Sequence, residues 1–148
     1  MTARRPSRKQ ARRDAAFVLY QREVTDLSPA ALLDNRAAAE GYELDEFTCR
    51  SVAGVIAGQA ALDAELTANS PAWPLSRIAP LERSILRLAL WELRGGETPP
   101  EVAIDEAVRL AKRYSTDEAA ALVNGILAGA LRSGPQPPAP DDDGGEGR

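Results

Sequence analysis

The segment 80–93 places the strongest constraint on the fold, because its apolar residues cover most of a helical circumference. When it is projected at about 100° per residue, Leu81, Ile85 and Leu88 lie on one side, and other leucines lie on the opposite side. A helix that is apolar in most directions packs against neighbours on more than one side. The sequence therefore predicts a bundle of several helices with this segment at its centre.

Helix start signals recur along the rest of the chain, and no segment shows the alternating pattern of a strand. Ser28 before Pro29 marks one start, and the S/T-x-x-E patterns that begin at Thr98 and Ser115 are capping boxes that mark two more. Alanine, the best helix former, is the commonest residue. The segments predicted to be helical are about 8–24, 29–41, 44–67, 80–93, 99–114 and 116–130. We therefore predict an all-α fold, a compact bundle of about six or seven helices.

The residue inventory excludes several classes of site. The chain has no histidine, which removes Ser-His-Asp and Cys-His catalysis and any imidazole metal ligand. Its single cysteine, Cys49, can form neither an internal disulfide nor a zinc–thiolate cluster. No apolar run approaches the roughly 18 residues of a membrane span, and no secretory signal is apparent, so we expect a cytoplasmic protein. Because no nucleotide-binding or hydrolase motif occurs, we expect no enzymatic activity, metal or cofactor.

Charge is distributed unevenly along the chain, although the net charge is only −4. Residues 134–148 are rich in Pro, Gly and Asp and lack hydrophobic periodicity, whereas residues 1–13 contain no acid. The cations of that first segment are Arg4, Arg5, Arg8, Lys9, Arg12 and Arg13. A basic segment on an acidic body indicates an anionic partner, nucleic acid by default, although a solubilising N-terminus would look the same. We predict a basic disordered arm over 1–7, an all-helical domain over 8–133 and a disordered acidic tail over 134–148.

Tyr20 lies on the cationic side of the first predicted helix, in one stripe with Lys9 and Arg13. Cations for phosphates beside an aromatic face for a base are the arrangement that binds single-stranded nucleic acid. The alternative is that Tyr20 packs against protein and offers its hydroxyl to a partner. The helical projection leaves both interpretations open.

Glu92 projects among the leucines of the central helix, where a charged side chain is energetically unfavourable. Buried acids are paired or hydrogen-bonded, and no second carboxylate stands beside this one for acid–base chemistry. We therefore predict a structural partner for Glu92, either an arginine or free backbone amides.

Four strings stand in order over about residues 8–131. They are ARRDAA leading to LY over 11–20, LERSILRLALWEL over 81–93, VAIDEAV followed by LAK over 102–112, and VNGIL over 123–127. Each string alone is weakly specific, but the four in order beside a basic N-terminus are strongly specific. In this respect the chain resembles the NusB family of bacterial transcription antitermination factors.

The resemblance implies two small helical bundles packed together and an RNA-binding role. NusB proteins recognise the boxA element of nascent ribosomal RNA, many of them together with the ribosomal small-subunit protein NusE, in an antitermination complex on RNA polymerase. By this resemblance the six N-terminal cations contact RNA, as does Glu118 near the start of the last helix. Tyr20, Glu82 and Leu122 are assigned by the same resemblance to the partner surface. Family members include homodimers as well as monomers, so a homodimer is one assembly that the resemblance implies.

Two positions depart from the family pattern, and two other functions compete with RNA binding. Asp105 stands where asparagine is usual, and Leu122 stands where an aromatic residue is common, which affects the partner surface most. As the N3 residue of the predicted Ser115 capping box, Glu118 is also interpreted as a residue that caps the last helix. The competing functions are a helical module that binds only protein and an accessory domain like the NusB-like domain of RNA methyltransferases.

Overall fold

The computed structural model describes residues 5–135, and within that range it contains six α-helices, one 3₁₀ helix and no strand. The α-helices are α1 (Arg8–Val24), α2 (Pro29–Glu40), α3 (Glu46–Ala68), α4 (Pro80–Gly95), α5 (Pro100–Tyr114) and α6 (Asp117–Ser133). The 3₁₀ helix, Leu75–Arg77, lies between α3 and α4. The all-α prediction is therefore confirmed. Arg4 and the part of the acidic tail from residue 136 onward lie outside this range. Among residues 5–135, none of the helices combines the length and the apolar character that a membrane span requires.

Helix α4 is the centre of the molecule, as its apolar circumference predicts. Of the helices that precede it in the chain it packs against α1 and α3, and of those that follow it packs against α5 and α6. Leucines from both of its sides, including Leu86, Leu88 and Leu90, are buried in one continuous core. The fold thus consists of two three-helix units, α1–α3 and α4–α6, and the first unit packs on the second mainly through α4.

Local caps set the first two helix starts. The Ser7 side chain accepts a hydrogen bond from the Gln10 amide at 3.1 Å, and the Gln10 side chain accepts one from the Ser7 amide at 2.8 Å. This reciprocal capping box begins α1. The Ser28 hydroxyl accepts from the Ala31 amide at 3.1 Å and begins α2 with Pro29 at its first position.

The capping box predicted at Thr98 is wrong. Helix α5 begins after Pro99, which makes no side-chain cap. The Thr98 hydroxyl instead donates to the Glu92 carboxylate at 2.7 Å. A hydrogen bond to an ionised carboxylate is stronger than one between neutral groups. The Thr98 hydroxyl therefore binds Glu92 on α4 and does not cap α5.

The capping box predicted at Ser115 is wrong for a similar reason. The N-cap of α6 is Thr116, whose hydroxyl accepts from the Ala119 amide at 3.0 Å. The Ser115 hydroxyl donates to the Glu82 carboxylate on α4. Glu118 is therefore the second residue of α6 and not the N3 residue of a capping box.

Candidate nucleic-acid interface

A basic groove runs between the first turns of α1 and the last turns of α5. Its volume is about 540 Å³, and its walls contain six cations and one acid. The charged residues are Lys9, Arg12, Arg13, Arg109, Lys112, Arg113 and Glu106. A concave surface lined mainly by one sign of charge concentrates the opposite charge from solution. We refer to this feature as the basic groove.

The α1 wall presents some of its cations to solvent. Arg5, Arg8 and Lys9 are exposed, and Lys9 lies on the groove itself. The Arg8 guanidinium lies 4.4 Å from the centroid of the Phe47 ring, a cation–π contact that orients it without neutralising it. These three predicted residues are thus accessible to a phosphate backbone.

Arg12, one of the predicted RNA contacts, has its guanidinium engaged inside the protein. The residue is only 7% exposed. Its Nε and Nη2 atoms donate to the two carboxylate oxygens of Glu92, at 3.0 and 2.6 Å. Arg12 also lines the basic groove, but two of its three guanidinium nitrogens are already held by Glu92. The same pair confirms that Glu92 has a structural partner and identifies it as an arginine.

Arg13 is partly engaged within the protein. Its Nη2 atom donates to Glu40 at 3.0 Å and to the Tyr42 hydroxyl at 3.1 Å. Beneath it, the fully buried Asp14 carboxylate accepts from Arg36 Nε at 2.8 Å and from the Tyr42 hydroxyl at 2.7 Å. Burial and the hydrogen bond to Asp14 raise the pKa of Tyr42 to about 12. This network attaches α1 to α2 and offsets much of the Arg13 charge locally.

The α5 wall is the part of the site that the sequence analysis missed. Arg109, Lys112 and Arg113 are exposed and face the α1 cations across the groove. Arg109 is paired with Asp105 one turn earlier, at 3.0 Å, whereas Lys112 forms no ion pair within residues 5–135. The adjacent Lys112 and Arg113 were a visible signal, but cations in the last turn of a helix also have an ordinary role toward the helix dipole.

An aromatic ring does lie among the groove cations, but it is Tyr114 and not Tyr20. Tyr114 lines the groove and packs edge-on against Phe17, with 4.8 Å between ring centroids. Its hydroxyl accepts a hydrogen bond from Arg113 Nε at 3.1 Å. Tyr20 is 36% exposed further along α1 and does not line the basic groove.

A second groove, of about 350 Å³, lies beside the start of α6 and brings together Glu82, Glu118 and Leu122 from the predicted site. Trp73, which is half-exposed, and Arg77 also line it. Glu82 is buried, and among the described residues its Oε2 atom has no hydrogen-bond partner. Tyr20 does not line this groove. We call this feature the second groove.

Comparison with known proteins gives a family match over most of the chain. The model of the NusB family matches residues 9–132. The transcription antitermination protein NusB of Rubrobacter xylanophilus is 47% identical over 125 residues, which cover 84% of this chain and 89% of that relative. The protein of the same name from Kineococcus radiotolerans is 37% identical over 123 residues, which cover 82% and 90%.

Solved structures share the fold. NusB of T. maritima superimposes with a TM-score of 0.78 at 27% identity, covering 90% of this chain and 96% of that one. A chain from the crystal structure of antitermination factors NusB and NusE in complex with double-stranded RNA gives a TM-score of 0.79 at 24% identity, with 86% and 97% covered. The latter likeness is one of fold alone. The family match and the identities to two NusB proteins together show that this chain belongs to the NusB family.

Proposed function

We propose that the protein is an RNA-binding transcription antitermination factor that recognises boxA RNA and acts with NusE in a complex on RNA polymerase. The observation that carries this proposal is the basic groove of a chain that belongs to the NusB family. It would act in the cytoplasm on nascent ribosomal RNA and promote transcription of ribosomal RNA operons. Its mechanism is binding and not catalysis.

The proposed RNA surface has two walls. Arg5, Arg8 and Lys9 approach the phosphates from the α1 side, and Lys112 and Arg113 approach them from α5. Phosphate contacts of this kind supply most of the affinity and make it depend on salt. Arg4, which lies outside the described residues, remains a proposed RNA contact. Arg12 is excluded from the direct contacts because its guanidinium is paired internally.

Bases require a different kind of contact. Tyr114 presents an aromatic ring in the groove, and stacking on such a ring is how single-stranded bases are commonly held. Glu118 is exposed at the start of α6 and lines the second groove, which follows the Tyr114 end of the basic groove along the chain. Its carboxylate would repel phosphate, so the fitting ligand for Glu118 is a base amino group.

The proposed NusE surface comprises the second groove, with Glu82 and Leu122, together with the exposed Tyr20. The half-exposed Trp73 at the same groove adds an aromatic side chain of the type that is enriched at protein interfaces. This groove also favours the second candidate function, a module that binds only protein. The two candidates differ in one measurable property, salt-dependent RNA binding.

The test is a titration of boxA RNA against a scrambled RNA at several salt concentrations, with and without NusE. We expect tighter binding to boxA RNA and a linear fall of log affinity with log salt. Lys112→Gln and Arg113→Gln together should reduce that slope by about 1.4, since each contact to a single strand contributes about 0.7. The matched control is Arg132→Gln at the far end of α6, which should leave the slope unchanged. Binding that is insensitive to salt would favour the protein-only module.

A further inference from the structure

Three buried polar side chains connect α1, α4 and the segment that leads into α5, and one of them, Arg12, also lines the basic groove. Arg12 on α1 donates through Nε and Nη2 to both carboxylate oxygens of Glu92 on α4, and Thr98, just before α5, donates to the same carboxylate at 2.7 Å. Arg12, Glu92 and Thr98 are 7%, 4% and 9% exposed. We call these three residues the anchor.

The two walls of the basic groove are held mainly through α4. Helix α1 packs chiefly on α2, α3 and α4, whereas α5 packs chiefly on α4 and α6. The spacing of the walls therefore depends on how each of them is fixed to α4. Apolar contacts are not directional, but an arginine that binds a carboxylate through two N–H groups has a defined geometry.

We propose that the anchor fixes α1 relative to α5 and so sets the geometry of the basic groove, which makes Arg12, Glu92 and Thr98 positioning residues for RNA binding. This inference rests on the proposed function, and it extends it to residues that do not touch RNA. Arg12 is one turn from both Arg8 and Lys9, so a displacement of Arg12 moves the exposed cations with it.

The proposal predicts an effect opposite to that of simple electrostatics. Removal of an acid near bound RNA should strengthen binding if charge alone matters. Glu92→Gln removes such an acid but also weakens the hold on Arg12, so the anchor predicts weaker binding. Because no phosphate contact is lost, the dependence of log affinity on log salt should keep its slope.

The experiment compares Glu92→Gln and Thr98→Val with the matched control Glu106→Gln, which removes an acid from the groove wall without touching the anchor. RNA affinity is measured across a salt series, with helix content checked by circular dichroism. We expect Glu92→Gln to weaken binding about tenfold, equivalent to about 1.4 kcal/mol, at every salt concentration. Thr98→Val, which changes no charge, should weaken binding less but in the same direction. Glu106→Gln should strengthen it.

Either of two results would overturn the proposal. One is stronger binding by Glu92→Gln, as for Glu106→Gln, and the other is unchanged binding by Thr98→Val. If Glu92→Gln does not fold, Thr98→Val decides alone. Amide hydrogen exchange gives a reading that does not need RNA, since both anchor variants should speed exchange in the first half of α1 and Glu106→Gln should not. If the parent protein fails to bind RNA, the proposed function is contradicted. The hydrogen-exchange data still test whether the anchor holds α1 in place.

Discussion

Single buried carboxylates decide which arginines remain available to a ligand. Glu92 and Asp14 are both buried, and each binds an arginine together with a hydroxyl group. A buried carboxylate without such partners is strongly unfavourable, so Arg12 and Arg36 are retained inside the protein. The count of basic residues in the sequence therefore exceeds the number that can reach a ligand.

Glu92→Ala should strongly destabilise the fold. The substitution leaves the Arg12 guanidinium buried without its partner, and breaking a buried pair in this way costs about 3–5 kcal/mol. Urea or thermal unfolding measures the loss. Glu43→Ala in the exposed connection between α2 and α3 is the matched control, and it should change stability by less than about 0.5 kcal/mol. Equal effects of the two substitutions would contradict a structural role for Glu92.

Tyr42→Phe should reduce stability by about 1–2 kcal/mol at neutral pH, because Asp14 loses a hydrogen bond from the hydroxyl. The raised pKa of Tyr42, about 12, means that the neutral form stabilises the fold below pH 10 or so. That contribution should disappear as the pH rises through about 12, where the hydroxyl ionises beside Asp14. The difference between parent and variant stability across this range is the measurement. A difference that stays constant would show that Tyr42 does not titrate as described.

At the scale of elements, close approach and local caps explain most of the arrangement. The start of α2 at Ser28 could be placed from sequence because its cap uses residues next to it in the chain. Thr98 and Ser115 could not be assigned correctly, because carboxylates on α4 compete for their hydroxyls and that proximity exists only after folding. The α5 wall was missed for the same reason, since a groove requires two helices to be near each other.

Gly54→Ala should destabilise the contact between α3 and α4. A Cβ atom at Gly54 would overlap the Trp91 indole, which also packs against Phe47 at 6.0 Å between ring centroids and so has little room to move. We expect a cost of about 1–3 kcal/mol in urea unfolding. Gly58→Ala on the same helix is the control, because it has open space around it and a negative φ at the kink. A cost at Gly58 as large as that at Gly54 would contradict the close-approach explanation.

At the scale of the whole molecule, the two grooves adjoin at the connection between α5 and α6. Tyr114 belongs to the basic groove, and Ser115 and Thr116 belong to the second groove. A polyanion and a protein partner could thus be bound side by side. The sequence and its family resemblance indicated an RNA surface and a partner surface, but that Glu82, Glu118 and Leu122 line one groove apart from the basic groove follows only from the packing of the helices.

Arg4→Gln and Arg5→Gln together should weaken RNA binding without changing the fold. Both residues precede the Ser7 capping box, so the start of α1 remains intact. Loss of two phosphate contacts should lower the slope of log affinity against log salt by about 1.4 for a single strand. Salt-dependent titration checks the slope, and circular dichroism checks the fold. An unchanged slope would remove these two residues from the RNA surface.

The central position of α4 has a further consequence for how the protein unfolds. Two independent three-helix units would melt separately. Here, unfolding of α1–α3 would expose leucines of α4, and unfolding of α4–α6 would expose the faces of α1 and α3 that pack on α4. Residues 8–133 should therefore unfold as one cooperative unit. The calorimetric enthalpy of unfolding should equal the van't Hoff enthalpy in a single transition. Two resolved transitions would mean that the units are energetically independent despite the helix they share.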